Sequence, residues 1–499
     1  MRNLLSLAIT AAMTTTAALA AETPNYSLTI YSSAAPGSIS TDTLVNYGGA
    51  LPGYALVRDG RKMDLKAGNG VLRFTDVAKR IDPTTVAFES VTDPAGTRVV
   101  EQNYQFDLVN RDKLLERYVG ETITVEQQRG DALERMVGKL LSSADGSLIL
   151  ERPSGEVVTI GSYSNVLFPS LPGGLITRPT LVWLVNAKQG GQHDTRVSYQ
   201  TQGMTWWTDY NVTLREAGDA CDMDLSAWVT IVNQSGGSYP EAQLKLVAGE
   251  VNRAPAAPPP RAKMMRNELA AASVGQDAGF QESQLFEYHL YTLGRKSDLP
   301  DNSTKQLELF PTASRVGCKK QLVFTAAPQP WTYWAQPIAD QGYGATTQGT
   351  VGAFLEFDNK EANKLGMPLP AGRVRVNQAS VDGTLEFIGE DVIKHTPRNE
   401  TLRIKLGNAF DVVGERKQTN FNIDTSAKTI VETFEISVRN RKKTAAKVVV
   451  REYLYRWSQW NVAAKSHEFV KRDAQTIDFP VEIPADGEAK VTYSVRYTW

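Results

Sequence analysis

The feature that most constrains the fold of this chain is an alternation of polar and apolar residues with a period of two. The pattern is unbroken over residues 402–406, 433–439 and 491–497. Because successive side chains of an extended strand point to opposite faces, this period predicts strands with one buried and one solvated face. Such strands are typical of antiparallel sheets. Helical periodicity is rare, and residues 110–118 and 357–365 are the best short candidates.

Turn residues agree with this prediction. The dipeptide Asp-Gly occurs between strand-like runs at 59–60, 145–146, 382–383 and 486–487, and it suits the positive-φ positions of tight hairpins. Short strands with regular turns are typical of sandwiches and small barrels. The predicted fold class is therefore all-β: tandem immunoglobulin-like β-sandwich domains with a small SH3-like or Sm-like barrel and few short helices.

The chain of 499 residues is long enough for several domains. We predict an N-terminal β-sandwich at 21–108 and a small β-barrel of five brief strands at 109–172. A second β-sandwich follows at 173–375, and the C-terminal β-sandwich occupies 376–499. A flexible segment rich in proline and alanine, residues 254–284, is expected to interrupt the second sandwich between two strands of one sheet.

The start of the chain predicts export through a signal peptide at 1–20. Arg2 gives a positive start, residues 4–12 form an apolar run, and Ala18-Leu19-Ala20 fits the small-x-small rule for cleavage. The apolar run is too short to span a bilayer, and no later stretch is long enough to do so as a helix. We expect an exported protein, periplasmic or associated with the cell surface, with no transmembrane helix after signal removal.

The sequence contains two cysteines, Cys221 and Cys318. In an oxidising compartment they could form a disulfide, and the alternative is a pair of buried free thiols. Two cysteines are too few for a four-thiolate metal site. The formal net charge of −1 provides no overall field that attracts nucleic acid, so we expect no nucleic-acid partner.

No arrangement of residues in the sequence predicts a catalytic or metal centre. The four histidines are scattered, with no second histidine or cysteine at metal-ligand spacing, and the common nucleophile motifs of hydrolases are absent. A Ser-His-Asp set needs no fixed spacing, so the sequence leaves that arrangement open. We predict no catalytic residue, no metal site and no cofactor.

Aromatic clusters are the best candidates for a binding site. Trp331 and Trp334 form one close pair in the sequence, and Trp457 and Trp460 form another. Exposed indole rings can stack on sugars or anchor a protein partner. The alternative is that these rings fill sandwich cores or the joints between domains.

The chain from residue 177 onward contains a series of distinctive strings: TRPTLVWLV at 177–185, WWTDY at 206–210, AWVTIVNQSG at 227–236, AQLKLVAGEVN at 242–252, LPAGRVRV at 369–376, GNAFDVVGER at 407–416 and FPVEIPADG at 479–487. With these strings the chain resembles, over 177–499, a bacterial family of exported proteins known as domain-of-unknown-function family 4139. The resemblance implies an all-β exported protein and brings no assigned catalytic residue. Some relatives are labelled mucoidy inhibitors, which points to the cell envelope and its polysaccharide.

Export, the tandem β-architecture and the lack of catalytic motifs favour a cell-envelope protein with a structural or binding role. Its expected partner is an envelope protein or polysaccharide. One alternative is a hydrolase of envelope glycan or peptide that uses paired carboxylates, such as Asp209, Asp411 and Glu415, the last two flanking a Val-Val-Gly turn. Another is an outer-membrane-associated β protein, because residues 491–499 alternate and end in an aromatic residue, as last strands of outer-membrane barrels often do.

Overall fold

The computed structural model describes residues 24–32, 34–39, 51–106, 109–129, 132–172, 175–217, 220–249, 251, 280–328, 336–380 and 382–499. Strands account for 67% of the structure and helices for 3%, which confirms the predicted all-β, sandwich-like fold class. The signal peptide predicted at 1–20, most of the insert predicted at 254–284, and the predicted binding residues Trp331 and Trp334 lie outside the described residues.

Most strands have fewer than fifteen residues, and the two longest, of 23 and 24 residues, lie in the second half of the chain. The first fifteen are β1 Asn25–Ser32, β2 Gly53–Leu65, β3 Gly68–Thr75, β4 Ile81–Ser90, β5 Thr97–Gln105, β6 Thr122–Arg129, β7 Ala132–Ser142, β8 Leu148–Glu151, β9 Val157–Ile160, β10 Asn165–Leu167, β11 Thr180–Ala187, β12 Gly191–Gln202, β13 Met204–Ala217, β14 Ala220–Asn233 and β15 Tyr239–Ala248. The others are β16 Phe280–Leu285, β17 Tyr288–Leu299, β18 Ser303–Thr325, β19 Thr346–Asp358, β20 Gly372–Ala379, β21 Leu385–Ile393, β22 Thr401–Asp424, β23 Thr429–Asn440, β24 Ala446–Tyr453, β25 Trp460–Lys465, β26 Val470–Lys471, β27 Thr476–Ile483 and β28 Glu488–Thr498. Within the described ranges, the helical elements are α1 Arg111–Arg117 and two single 3-10 turns, Ala144–Gly146 and Glu361–Asn363.

The helix α1 begins where Asn110 caps it. The side chain of Asn110 accepts a hydrogen bond of 2.9 Å from the backbone N–H of Lys113, which satisfies one of the donors left open at a helix start. At the other end, Leu115 and Tyr118 turn into the core of a small sheet. The first of the two predicted helices is therefore confirmed.

Most of the predicted hairpin turns are confirmed. Three Asp-Gly pairs lie in the connections β7–β8, β20–β21 and β27–β28: 145–146, 382–383 and 486–487. The turn predicted at 59–60 is wrong, because this pair lies inside β2, where Asp59 is buried in an ion pair with Arg61. The helix predicted at 357–365 is also wrong, because the alternating pattern of β19 continues to Asp358 and only a single 3-10 turn follows.

Sheets in the first half combine segments that are distant in sequence. A seven-stranded sheet has the order β16-β17-β15-β1-β2-β12-β4, and a three-stranded sheet has the order β3-β11-β5. Strand β1 pairs with β15 in parallel, and β11 pairs with both β3 and β5. The segments 21–108 and 173–375 therefore share sheets. Strands β15 and β16 belong to one sheet; the insert predicted at 254–284 begins after β15 and from Phe280 forms part of β16.

The segment 109–172 contains a five-stranded sheet with the order β10-β6-β7-β8-β9. Leu115 and Tyr118 at the helix α1 pack there with Ile123 and Leu140. The sheet has the five brief strands expected, but its edge strands β9 and β10 do not pair with each other, so the predicted small barrel is an open sheet. Closure is not needed to bury this core, because α1 covers it, and the edge strands have only four and three residues.

Two long strands join the two main hydrophobic cores of the molecule. Strand β18 has 23 residues and contributes Leu309 to the first core and Phe324 to the second. Strand β22 has 24 residues and contributes Ile404 to the first and Val412 to the second. We call the second cluster, which also contains alternate residues of β23, β24, β27 and β28, the C-terminal core. It includes the alternating apolar residues of the last strand, namely Val491, Tyr493, Val495 and Tyr497.

One corner arrangement occurs three times. A fully buried asparagine at or just after the end of a strand donates a hydrogen bond from Nδ2 to the carbonyl of a distant proline: Asn233 to Pro300 at 2.9 Å, Asn359 to Pro397 at 3.0 Å and Asn440 to Pro484 at 2.9 Å. Two residues after each proline, the chain adopts a positive φ, at Asn302, Asn399 and Asp486. We call this arrangement the asparagine corner; it fixes the point where the next antiparallel strand begins.

The two cysteines form a disulfide. Cys221 on β14 stands directly opposite Cys318 on β18 in the antiparallel register, and the Cα atoms are 5.2 Å apart. Of the two alternatives that the sequence left open, the bonded pair is the one found.

Candidate functional site

The predicted aromatic site at Trp457 and Trp460 lies beside the C-terminal core. Both side chains are partly buried and pack against that core. The indole Nε1 of Trp460 donates a hydrogen bond of 2.8 Å to the carbonyl of Ala474. The Nζ atom of Lys471 lies 4.9 Å from the centroid of the same indole. The protein therefore engages part of each aromatic surface, and the remainder is open to solvent.

The loop that carries Ala474 also forms one wall of a cavity of about 340 Å³. Arg403 on β22, Arg451 on β24 and Arg472 after β26 line this cavity, which we call the arginine pocket. The other lining residues are Glu356, Thr401, Tyr453, Asp473 and Thr476. Three positive and two negative side chains thus surround one opening on the surface.

Strand pairing brings these side chains to one face. Arg403 stands opposite Glu356 in the antiparallel pair β19–β22, and Arg451 stands opposite Asp478 in the pair β24–β27. Ile404, the neighbour of Arg403 along the chain, is fully buried in the first core. Because side chains alternate along a strand, Arg403 lies on the opposite face of β22 from that core, and its side chain is 25% exposed.

Asp478 joins two of the three arginines. Arg451 donates to both carboxylate oxygens, from Nε and from Nη2, each at 2.8 Å, and Arg472 donates from Nε at 2.7 Å. Burial would raise the pKa of Asp478, but the hydrogen bonds from the two arginines outweigh it and hold that pKa below its ordinary value. The hydrogen bond with Asp478 likewise raises the pKa of Arg451.

Arg403 has no comparable partner. Its Nε atom is 3.5 Å from Oε1 of Glu356, and neither Nε nor Nη2 has a hydrogen-bond acceptor among the described residues. Its Cζ atom lies 3.9 Å from the ring centroid of Phe354, a cation–π contact. Burial and, after it, the charge of Arg451 lower the pKa of Arg403. The positive charge is therefore less well compensated on Arg403 than on the other two arginines.

A second set of charged side chains lies inside the C-terminal core. Arg416 donates to Glu452 at 2.8 Å and Arg456 contacts Glu432 at 2.7 Å, and all four side chains have no exposed surface. Tyr493 adds a hydrogen bond of 2.6 Å to Glu452. Because solvent does not reach these pairs, we assign them a structural role.

The carboxylates considered for a hydrolase lie on two strands that do not pair with each other. Asp209 is buried on β13, where Arg373 donates a hydrogen bond to it at 3.2 Å. Asp411 and Glu415 lie on β22, about 13 Å apart at a rise of roughly 3.3 Å per residue, and Glu415 contacts Arg439 at 3.7 Å. The turn predicted between Asp411 and Glu415 is wrong, because β22 continues through both and pairs with β19 and β23.

Ser466 and His467, which are adjacent in the sequence, make an exposed serine–histidine contact of 2.9 Å. A second serine–histidine contact in the described part of the chain is buried. The Oγ of Ser90 and the Nδ1 of His193 are 2.8 Å apart and buried, and the Nε2 of His193 faces the carbonyl of Gln189 at 3.2 Å. A carbonyl thus occupies the position that a carboxylate takes in a triad. Over the same residues no group of three or more His, Cys, Asp or Glu side chains is arranged to hold a metal ion. No helix described by the structure is long and apolar enough to cross a membrane.

The sequence reasoning missed the arginine pocket. Arg403 and Arg451 occupy outward positions of alternating strands, where arginine is common, so neither position stands out. What distinguishes these two arginines is that β22 and β24 lie close to each other in the fold. The two strands are not adjacent in sequence and do not pair with each other. Each of these arginines stands opposite a carboxylate on a paired strand. Knowledge of that strand pairing would have been needed to identify them from the sequence.

The fold and the site together define a disulfide-linked, all-β protein with sandwich-like sheets and an arginine-lined surface pocket. Comparison with protein-family models and with curated proteins found no match. The resemblance to domain-of-unknown-function family 4139 over 177–499 stays a prediction that depends on the strings quoted above.

Proposed function

We propose that the protein is exported to the cell envelope and acts there by binding, without catalysis, an acidic polysaccharide whose carboxylates enter the arginine pocket. The observation that carries the proposal is the Nε–Nη2 edge of Arg403, which lacks an acceptor. Arg451 uses the same edge to hold Asp478 through two parallel hydrogen bonds. Such bidentate contact is the preferred geometry between arginine and a carboxylate. Both nitrogens of Arg403 are shielded from solvent, so a ligand carboxylate engages them after a change of rotamer.

The aromatic residues next to the pocket favour a glycan over a protein as the partner. The loop between β26 and β27 supplies Arg472 and Asp473 to the pocket and contacts Trp460 through Ala474. A partly open indole beside charged hydrogen-bonding groups is suited to a sugar ring with an acidic substituent. The experiment below distinguishes a glycan partner from a protein partner.

Three observations support the proposed location in the envelope. The disulfide between Cys221 and Cys318 is of a kind that forms and persists in oxidising compartments. The resemblance to domain-of-unknown-function family 4139 also points to exported proteins, and the residues at 1–20 have the pattern of a signal peptide. Purification of the native protein from the periplasmic fraction, with its disulfide intact, would test this part of the proposal.

The binding proposal is tested with polygalacturonate, a polymer of uronic acid, and with dextran as its neutral counterpart. We expect polygalacturonate alone to bind the purified protein, with an affinity that falls as salt is added. Arg403→Gln should weaken binding roughly tenfold, because a charge-assisted hydrogen-bond pair is lost. Arg439→Gln is the matched control, since Arg439 has a similar exposure, 33% against 25%, and a similarly loose contact with one glutamate.

Equal binding of polygalacturonate by the two variants would contradict the role of the pocket. Equal binding of dextran would contradict recognition of the acidic group. A third outcome is that no polysaccharide binds, that the parent protein captures an envelope protein, and that the Arg403→Gln variant does not. This outcome would identify a protein, and not a glycan, as the partner. Release of new reducing ends from the polymer would show catalysis and overturn the non-enzymatic reading.

A further inference from the structure

A second cavity lies between the strands β1 and β2 of the seven-stranded sheet and the end of β21, and it shares no lining residue with the arginine pocket. Its volume is about 760 Å³, within the range of small-molecule sites. Tyr31 on β1 and Tyr54 on β2 stand opposite each other and stack with ring centroids 4.6 Å apart and an angle of 3° between the rings. We call this space the tyrosine cavity.

Most of the remaining wall of the tyrosine cavity is apolar. It is formed by short segments before β2 and after β15 and by the end of β21, through Ala34, Ala35, Pro36, Val251, Val392 and Ile393. Among the described residues of the wall, the charged or titratable groups besides the tyrosines are Lys394 and His395, and none is a carboxylate. An apolar space of this size that has only basic residues at its polar end is suited to a ligand with an apolar body and a negative group.

Two further basic residues lie on the same face of the sheet, at register positions two and four residues along β1 from Tyr31. Lys245 on β15 is paired in register with Thr29 of β1, and Arg58 on β2 is paired with Ser27 of β1. Neither makes an ion pair with a carboxylate in the described part of the chain. Burial and, after it, the charge of Arg58 lower the pKa of Lys245. Within the described residues, two positive side chains without a carboxylate partner therefore lie on the face of the sheet that carries the stacked tyrosines.

We propose that the tyrosine cavity binds a small anionic amphiphile, of the class of medium-chain carboxylates. The apolar chain lies against Tyr31, Pro36 and Val392, and the carboxylate lies toward Lys394, all of which line the cavity. The two sites have no lining residue in common, and this proposal does not depend on the polysaccharide proposal. The same anionic group can belong to a free fatty acid or to a lipid in a bilayer, and the free molecule fits an inward cavity of this volume.

The experiment compares three ligands that share one chain length: decanoate, decanol and decyltrimethylammonium. Each is titrated against the full-length protein, below its micelle concentration, in competition with the fluorescent anionic probe anilinonaphthalene sulfonate. We expect decanoate to displace the probe at least tenfold more effectively than decanol, and the cation to displace it least. Vesicles of anionic phospholipid should not bind the protein more than neutral vesicles do.

Two variants locate the site within the fold. Lys394→Glu reverses the charge at the polar end and should weaken decanoate binding roughly fivefold, because an exposed charge contributes modestly. Val392→Trp, at an exposed edge-strand position, fills the cavity and should abolish binding without removing a core side chain. Lys443→Glu, an exposed lysine in the C-terminal part, is the matched control and should bind as the parent protein does.

Several results would overturn the proposal. Equal displacement by decanoate and decanol would remove the role of the basic residues. Unchanged binding by Val392→Trp would place the ligand elsewhere, and stronger binding to anionic vesicles than to decanoate would identify a membrane surface as the ligand. As a control, we expect the Val392→Trp variant to bind polygalacturonate as the parent protein does. Failure of the tyrosine cavity to bind decanoate would then leave the polysaccharide proposal untouched.

Discussion

The three arginines of the pocket show how differently one residue type behaves when its partners differ. Arg451 and Arg472 share Asp478 through three hydrogen bonds, so their charges are compensated within the protein. Arg403 has only a loose contact with Glu356 and a stacking contact with Phe354. The first two arginines therefore contribute to stability, whereas Arg403 is the one with capacity left for a ligand.

Asp478→Asn tests the first half of this statement through the pH dependence of stability. The pKa of Asp478 is below its ordinary value of 3.8 in the folded protein, so the unfolded chain binds the proton more tightly. Its contribution to stability is then fully present above the unfolded pKa and is lost as the pH falls through the folded one. We expect the free energy of unfolding in urea to be higher for the parent protein than for Asp478→Asn at about pH 6, and the gap to narrow below about pH 4.

The matched control for this measurement is Asp145→Asn, at an exposed residue in the 3-10 turn before β8. Its unfolding free energy should track that of the parent protein at every pH. A constant gap between the parent protein and Asp478→Asn across the acid range would show that Asp478 is not held ionised by the arginines.

At the residue scale, the sequence showed which side chains are candidates for binding or bonding, but it did not show which residues they contact in the fold. The aromatic pair Trp457 and Trp460 was identified from its spacing, but its contact with the loop at Ala474 depends on a fold that brings β25 beside it. The pairing of Cys221 with Cys318 remained open because nothing in the sequence shows that β14 and β18 are neighbours. Arg403 was missed for the same reason, since most of its surroundings come from β19, β24 and the loop after β26, which the sequence does not place next to β22.

At the scale of elements, the asparagine corner is the recurring device of the fold. In each copy one amide group satisfies backbone carbonyls that the end of a strand leaves without partners. The separation between asparagine and proline differs in the three copies, with 67, 38 and 44 residues. This variation hides the repeat from a search for a fixed period, although the local residue types are alike.

Asn440→Ala tests the energetic importance of a corner. The Nδ2 group donates to the carbonyls of Thr444 and Pro484 at 2.8 and 2.9 Å, and Oδ1 accepts from the backbone of Lys442 at 3.0 Å. Because the alanine leaves buried backbone groups unsatisfied, we expect a loss of roughly 2–4 kcal/mol in the free energy of unfolding. Urea denaturation measures it, and Asn420→Ala, at an exposed strand position, should change stability little. If Asn440→Ala lowered the free energy of unfolding no more than the control does, the asparagine corner would not contribute to stability.

Element prediction succeeded for strands and failed for their pairing. Alternation over 433–439 and 491–497 predicted β23 and β28, and their buried residues are those on the apolar side. The same alternation cannot reveal that β1 pairs with β15 in parallel, because strand partners are chosen by the packing of whole faces. Closure of the five-stranded sheet was overpredicted, since the number of strands does not show that α1 covers the open side.

For the whole molecule, the long strands β18 and β22 connect the two main cores and make them mechanically continuous. Strand β18 pairs with β14 along its first part and with β19 and β24 along its second. The disulfide joins β14 to β18 close to this change of partners, at the pair Cys221–Cys318. It therefore holds together the strands on which the continuity between the cores depends.

Removal of the disulfide should lower the stability of the whole molecule. The bond joins residues separated by 97 positions, and in the chain-entropy model a loop of about that size stabilises a protein by roughly 4–5 kcal/mol. We expect the Cys221→Ala/Cys318→Ala double variant to unfold at a lower urea concentration by about that free energy. Dithiothreitol should shift the parent protein to a similar midpoint and leave the double variant unchanged. A loss below about 1 kcal/mol would mean that strand pairing alone holds the two cores together, and that the bond is dispensable for the fold.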